Sequence, residues 1–280
     1  MASVLEVPAR PIDRAADLTV AASWINLVAS CLSYVATNPS RVYGLGVITE
    51  PLISEFGLSR TEFGMLNFWA TLIVAGLSFG FGTFVDRLGI RRAYSVTLAA
   101  LALSTFALAH ARTEWQLFAG LTLSRIFGQG ILALVSTALL GKSFPRGAPM
   151  AAAFFLLVTG ALWGAVVLGM KYAFAAGWDW RAVWQLCAVA MAFVAIPAGL
   201  LLVREPRILP VSDDPAVGAE TDQTARRAIR TPLFFVYGSY CFVSGVANSG
   251  IGLFFESFLK DRGFSRDVFF DALLIGIVGM

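Results

Sequence analysis

The sequence is poor in charge and in the residues that carry most metal and redox chemistry. Only 14% of its 280 residues are charged, and it has one histidine and three cysteines. Cys31, Cys187 and Cys241 lie in three different apolar segments without a Cys-x-x-Cys pair, so neither a metal site nor a disulfide is expected. Serine, histidine and acidic residues do not converge in sequence, and no phosphate-binding loop occurs. We therefore predict that the protein is not an enzyme and needs no cofactor or metal.

The chain also lacks a basic run interleaved with aromatic residues and a cleavable secretion signal. Its formal net charge is only +3, and no cluster of lysine and arginine indicates a nucleic-acid surface. The first seventeen residues mix acidic and basic side chains with Pro8 and Pro11 and have no apolar core, unlike a signal peptide. We predict no nucleic-acid partner and a cytoplasmic tail over residues 1–17.

Apolar surface is what the chain has in excess. Hydrophobic residues make up 58% of the sequence, which is far more than a soluble domain of this size buries. Apolar segments recur along the whole chain, and a helix needs roughly 20 residues to cross a bilayer. We number the predicted spans 1 to 8, over residues 18–45, 63–84, 93–111, 115–140, 148–174, 180–202, 233–259 and 269–280. The sequence therefore predicts an all-α polytopic membrane protein that lies in a lipid bilayer.

The one long polar interval, residues 204–230, separates span 6 from span 7. It contains Pro210, Pro215 and Gly218 with balanced charge, as flexible linkers do. We predict a six-helix bundle over residues 18–203, a cytoplasmic linker over 204–230, and the start of a second bundle over 231–280. Span 8 reaches the last residue at about half the length of a crossing, so we expect the sequence to be a fragment of a longer protein.

The loop between spans 2 and 3 indicates the orientation. It carries Arg87, Arg91 and Arg92 in a short stretch, and short loops rich in lysine and arginine stay on the cytoplasmic side. The sequence thus predicts a multi-pass protein of the cell inner (plasma) membrane with a cytoplasmic N-terminus.

The same loop has an unusual placement of charge. Asp86 lies at the C-terminal end of one predicted helix and Arg91 at the N-terminal end of the next, so each opposes its helix dipole. A loop that merely holds positive charge at the membrane surface is one explanation. The spacing Gly-x-x-x-Asp-Arg-x-Gly-x-Arg-Arg, however, resembles the loop between helices 2 and 3 of the major facilitator superfamily. The matching residues are Gly82, Asp86, Arg87, Gly89, Arg91 and Arg92.

This resemblance implies a gate on the cytoplasmic side. Gly82 would allow close helix packing, Asp86 would accept hydrogen bonds in a clasp between neighbouring helices, and the arginines would donate them. It also implies the major facilitator fold and alternating access.

A repeat with an offset of 206 residues links spans 1 and 2 to spans 7 and 8. The recurring residues are Glu50 and Glu256, Gly57 and Gly263, Ser59 and Ser265, Arg60 and Arg266, and Phe63 and Phe269. Chance in a biased composition is one explanation. The simpler one is a parallel repeat, as in the two halves of a major facilitator transporter, which implies about 410 residues in the complete protein.

Arg125 is the one basic residue well inside an apolar segment. Its burial in hydrocarbon would cost at least about 2.5–3.5 kcal/mol, so it should face protein or a water-lined interior. It is either a snorkelling or helix-pairing arginine, or a substrate-binding arginine with Gln129 nearby. The stretch resembles the superfamily's helix 4 motif, in which the arginine faces the central cavity. Here, however, three residues rather than two separate Arg125 from Gln129-Gly130.

Span 1 contains an interruption at Asn38-Pro39-Ser40, because proline lacks a backbone N–H, and such breaks tend to line cavities. Arg41 and Tyr34 flank it. Arg41 is either an ordinary arginine at the outer end of the span or a group that meets an entering anion, with Tyr34 along the path. Asn248 in span 7 is a further candidate for a polar lining or a pivot.

The run from Tyr34 through Pro39 and Arg41 to Arg60 resembles monocarboxylate transporters and oxalate/formate antiporters. Spans 1 to 6 contain no carboxylate, so a cation would lack a counter-charge while an anion has Arg125 and Arg41. We predict a secondary transporter that moves a small organic anion, a mono- or dicarboxylate, and that acts as a monomer by symport or antiport. A coupling proton is left open. The alternatives are a proton-coupled exporter of amphipathic compounds and a membrane sensor without transport.

Overall fold

The computed structural model describes residues 11–144, 148–204 and 230–278. Within these ranges the chain is helical and has no β-strand, which confirms the all-α prediction. Six helices there are long and apolar enough to cross a membrane, and one bent helix pair is a seventh candidate. The first ten residues of the predicted tail and residues 205–229 of the predicted linker lie outside the described residues.

Spans 2 to 6 are long helices that follow the apolar segments. Span 2 is Arg60–Leu88, span 3 is Ile90–Ala109, span 4 runs over Glu114–Ser143, span 5 over Ala148–Ala175 and span 6 over Trp180–Leu202. Span 2 begins with a capping box, in which Ser59 and Glu62 exchange hydrogen bonds. Spans 4 and 6 each contain a π-helical segment, Arg125–Leu132 and Met191–Ala195 respectively.

Span 1 is broken where the sequence predicts it. The helix Pro11–Ala36 is followed by a 3-10 turn, Asn38–Ser40, and then by the short helices Val42–Gly46 and Thr49–Phe56. Pro39 has no N–H to continue the helical hydrogen bonding. The long helix therefore ends at Ala36, well before the apolar run does, and the short helices form a hairpin that leads into span 2.

Spans 7 and 8 repeat this arrangement. Helix Pro232–Leu253 bends by 54° into the short helix Phe255–Asp261, and span 8 follows as Arg266–Val278. Gly57 and Gly263 occupy equivalent turns with φ of 63° and 80°, a region that favours glycine. Shared local structure at these positions supports a true repeat over a chance match.

The two copies of the repeat touch at equivalent positions. Gly46 and Gly252 share the offset of 206 residues, and a Cβ atom on Gly46 would lie only 2.5 Å from the carbonyl oxygen of Gly252. The backbones therefore meet directly, which side chains would prevent. Contact between equivalent residues is what an approximate two-fold axis between the copies produces.

Tyr94 ties three spans of the bundle together at the end that carries the loop between spans 2 and 3. The side chain is fully buried, and its hydroxyl donates a hydrogen bond to the carbonyl of Ala29 in span 1 at 3.1 Å. Its ring packs against Gly199 of span 6, where a Cβ atom would lie 2.2 Å from the ring. Close contact at a small residue is the usual basis of helix association in membranes.

Candidate functional site

A cavity of about 320 Å³ lies between the break in span 1, span 5 and the second copy of the repeat. Asn38 and Tyr43 line it from the break in span 1 and the short helix after it, Trp163 lines it from span 5, and Asn248 and Phe255 line it from span 7. None of the described residues that line it is acidic. The two copies of the repeat thus enclose a space large enough for a small organic molecule.

Polar groups converge on one part of this cavity. Tyr43 donates a hydrogen bond from its hydroxyl to Asn248 Oδ1 at 3.3 Å, and Asn248 Nδ2 donates to the carbonyl of Ser244 at 2.9 Å. Asn38 Nδ2 and Trp163 Nε1 are buried and make no hydrogen bond to any residue that the structure describes. Buried donors are normally paired. Both residues line the cavity, but the two nitrogen atoms have almost no accessible surface, so a ligand would reach them only if the side chains turned.

Arg41 and Tyr34 lie beside Trp163. The guanidinium carbon of Arg41 is 4.2 Å from the centroid of the Tyr34 ring and 5.4 Å from that of Trp163. The two rings stack with centroids 5.9 Å apart. Arg41 Nε donates to Thr37 Oγ1 at 2.7 Å. The structure therefore brings Arg41 and Tyr34 together beside Trp163, which the sequence did not indicate, and Trp163 and Asn248 line the same cavity.

Arg125 lies in a separate place. Its side chain is only 3% exposed, and its Nη atoms donate to Asn67 Oδ1 and Thr71 Oγ1 of span 2, both at 2.6 Å. Both acceptors are neutral, and no carboxylate in the described parts of the chain pairs with it. The structure thus joins Arg125 to span 2 and does not place it among the residues that line the cavity.

A π-helical segment accounts for the unusual spacing after Arg125. A π turn accommodates one extra residue in a helix, and three residues rather than two separate Arg125 from Gln129-Gly130. Gln129 is exposed, whereas Arg125 is buried. Gly128 packs against the break in span 1, because a Cβ atom there would lie 2.2 Å from Ser40 Oγ. The extra residue therefore lets Arg125 face span 2 and Gly128 face span 1.

The loop between spans 2 and 3 turns at Gly89, whose φ is 78°. Arg91 donates a hydrogen bond from Nη2 to the carbonyl of Leu200 at 2.6 Å. This carbonyl belongs to the C-terminal turn of span 6, where a cation is favoured, so the contact offsets the unfavourable position of Arg91 in its own helix. Asp86 is exposed and forms no ion pair within the described residues.

The other three residues of the motif lie at the surface of the part of the chain that the structure describes. A Cβ atom on Gly82 would meet nothing within 4 Å. Arg87 and Arg92 are exposed. The clasp role of Asp86 and the packing role of Gly82 therefore stay predictions.

Comparison with known proteins identifies the family. The sequence model of the Major Facilitator Superfamily matches residues 26–280. The chain belongs to this superfamily of secondary membrane transporters, which confirms the resemblance at the level of the superfamily. A search of curated proteins and a search of solved structures gave no match.

Proposed function

We propose that the protein is a secondary active transporter that moves a small organic anion, a mono- or dicarboxylate, by alternating access. The observation that carries this proposal is the cavity beside Arg41, which has no acidic residue among its described lining. A positive charge close to a poorly solvated cavity favours an anion over a cation. Symport, antiport and a coupling proton are all compatible with this site.

In this proposal the side chains of Asn38 and Trp163 turn when the ligand binds and donate hydrogen bonds from Nδ2 and Nε1 to its carboxylate. Arg41, whose guanidinium carbon lies 5.4 Å from the centroid of the Trp163 ring, supplies the compensating charge. The remaining wall, which includes Val167, Ile251 and Leu273, is apolar and packs against the carbon skeleton of the ligand. Arg125 would contribute positive potential to the same pathway, and Gln129 a polar group, as the sequence predicts.

A series of ligands with one shape and three charges tests the proposal. Benzoate, benzamide and benzylammonium are nearly equal in size, and a ligand that binds the folded state raises the unfolding temperature. We expect benzoate to stabilise the purified protein in lipid nanodiscs with an affinity at least tenfold higher than that of the other two. The affinities for acetate, oxalate and succinate, measured at constant ionic strength, then show which ligand length and charge the site prefers. Equal affinity for benzoate and benzamide would contradict the proposal.

The apolar wall supports one second candidate, a proton-coupled exporter of amphipathic compounds. Such a protein would bind benzamide as well as benzoate, and its flux would need an imposed proton gradient. A sensor without transport would bind benzoate and show no flux in proteoliposomes. The binding series and a flux measurement therefore separate all three functions.

We also propose that the N-terminus and the loop between spans 2 and 3 are cytoplasmic. In a variant without native cysteines, Arg92→Cys should be protected from an impermeant thiol reagent added outside intact cells. Ser54→Cys in the exposed first loop is the matched control and should react from outside. Labelling of Arg92→Cys but not of Ser54→Cys from outside would show that the orientation is the opposite of the one proposed.

A further inference from the structure

The polar groups of the cavity lie together at one end of it. The hydroxyl of Tyr43 donates to Asn248 Oδ1 at 3.3 Å, and the ring of Tyr43 packs edge to face against Trp163 with centroids 6.3 Å apart. Asn38 lies beside them, because a Cβ atom on Gly44, the residue after Tyr43, would clash with the carbonyl oxygen of Asn38. These residues carry the polar groups of the described lining. The cavity therefore has one polar end, where span 7 meets the break in span 1.

The side of the cavity that span 8 forms is apolar. Four lining residues share one face of this helix, Ala272, Leu273, Gly276 and Ile277. The acidic residue beside them, Asp271, pairs with Lys171 Nζ of span 5 at 2.6 Å and is not among the lining residues. A carboxylate of a ligand that lay against this face would lose its hydration without gaining a hydrogen-bond donor from the described lining of span 8, which is unfavourable.

Aromatic rings flank the space between the polar end and span 8. Phe255 of span 7 lines the cavity and packs against the buried ring of Phe269, with centroids 5.9 Å apart. Tyr43 and Trp163 present two further rings at the polar end. Contacts between aromatic rings add to the gain from burying apolar area. The walls therefore favour a ligand whose apolar body is itself aromatic.

Small residues on span 8 leave room for this body. An apolar cavity of about 150 Å³ can hold a benzene molecule, and this cavity has about 320 Å³. It can therefore hold an aromatic ring together with a short chain and a carboxylate. Ala272 and Gly276, one helical turn apart, form part of its wall. A Cβ atom on Gly276 would meet nothing within 4 Å, so a larger side chain there can extend into the space without a clash.

We propose that the site takes an arylalkanoate, a monocarboxylate with an aromatic body on a short carbon chain, and that Ala272 and Gly276 set the length that it accepts. This inference rests on the proposed function, because it places the carboxylate of the ligand at the polar end of the cavity. It disfavours short acids, which would leave most of the cavity unfilled. It also disfavours dicarboxylates, whose second charge would lie against span 8.

Three acids test the ligand class. The affinities of the complete purified protein in lipid nanodiscs are measured by titration calorimetry, with empty nanodiscs as the baseline. We expect 3-phenylpropanoate to bind at least tenfold more tightly than acetate, since each buried methylene group raises affinity roughly fourfold. It should also bind at least tenfold more tightly than 3-(4-carboxyphenyl)propanoate, which has the same body and a second carboxylate. The amide 3-phenylpropanamide tests the need for a negative charge separately.

A larger residue on span 8 tests what sets the length. Gly276→Leu should lower the affinity for 3-phenylpropanoate at least tenfold and leave that for acetate within twofold, because acetate occupies only the polar end. Gly250→Leu is the matched control. Gly250 is an exposed glycine of span 7 that does not line the cavity, and a Cβ atom there meets nothing within 4 Å. Both affinities should stay within twofold of the parent in this control.

A smaller residue on the same face of span 8 should act in the opposite direction. Leu273→Ala removes part of the apolar wall and lengthens the space. We expect it to raise the affinity for 5-phenylpentanoate at least fivefold relative to that for 3-phenylpropanoate. This variant keeps the test decisive if Gly276→Leu does not fold.

The outcomes separate this inference from the proposed function. Equal affinity for 3-phenylpropanoate and its amide would overturn both. If the acid binds more tightly than the amide, but acetate or the dicarboxylate binds as tightly as 3-phenylpropanoate, the inference is wrong and the anion proposal stands. An equal loss for both acids in Gly276→Leu, or an unchanged ratio in Leu273→Ala, would overturn the role of span 8 in setting the length.

Discussion

Arg41 and Arg125 are the two arginines on which the anion hypothesis depends, and their surroundings differ. The guanidinium carbon of Arg41 lies over the rings of Tyr34 and Trp163, and Trp163 lines the cavity. Arg125 uses the edge of its guanidinium to donate to two neutral acceptors on span 2. A guanidinium that lies over aromatic rings keeps its charge near a ligand in the cavity. A guanidinium whose N–H groups are already hydrogen-bonded to a neighbouring helix holds the two helices together. The comparison shows that depth within an apolar segment does not by itself decide what a membrane arginine does.

The largest effect is expected at Arg125 and concerns stability. Glutamine cannot reach both Asn67 and Thr71, so Arg125→Gln should lower the free energy of unfolding by about 1–3 kcal/mol for buried polar groups left unpaired. Thermal unfolding followed by circular dichroism measures this loss. Arg92→Gln, at an exposed arginine, is the control and should change little.

A double-mutant cycle sharpens the assignment of Arg125. Asn67→Ala combined with Arg125→Gln should cost less than the sum of the two single changes, because both remove the same hydrogen bond. A stable Arg125→Gln protein that fails to bind benzoate would instead place Arg125 in the anion site, as the sequence predicts.

The next effect is expected at Arg41 and concerns affinity. Arg41→Gln removes the charge beside the cavity, and we expect at least a tenfold loss of benzoate affinity, about 1.4 kcal/mol. The unfolding temperature should change little. Arg41→Lys keeps the charge but loses the planar stack, so its affinity should be intermediate. Unchanged binding in Arg41→Gln would remove Arg41 from the site and leave it as an ordinary arginine at the end of the span.

The smallest effect is expected at Trp163. Trp163→Phe keeps a ring against Arg41 and Tyr34 but removes the unpaired Nε1–H. A hydrogen bond to a carboxylate is worth about 1.5 kcal/mol at the low end of the range for charged partners, so benzoate affinity should fall by roughly tenfold. Trp178→Phe, at an exposed tryptophan, is the control. Equal losses in both variants would mean that Nε1 does not contact the ligand.

Much of the fold could be predicted from the sequence, because membrane spans leave a strong apolar signal. The spans, the break at Asn38-Pro39-Ser40 and the repeat were all visible as local patterns. The short helices after the break were not, since Val42–Gly46 lies at the end of the apolar run of span 1 and Thr49–Phe56 lies in the loop that follows it. The family match confirms the superfamily and leaves the narrower resemblance to carboxylate carriers as a proposal.

The candidate site was harder to predict, because it depends on which faces of the helices meet. Asn67 and Thr71 lie on one face of span 2, but only the packing of spans 2 and 4 shows that Arg125 contacts them. The longer spacing between Arg125 and Gln129 was visible, and the π-helical segment that accommodates it was not. Trp163 had one available signal, since a tryptophan far from the end of a span departs from the usual interfacial position.

Our main proposal is that the protein carries an organic anion across the membrane and binds it in the cavity beside Arg41. The most direct measurement is uptake of radiolabelled benzoate by proteoliposomes that contain the complete purified protein, both bundles included, with protein-free liposomes as the baseline. We predict saturable uptake that excess unlabelled benzoate inhibits and that benzamide and benzylammonium leave unchanged. Arg41→Gln should weaken this uptake. Uptake no higher than in protein-free liposomes, or equal inhibition by all three compounds, would contradict it.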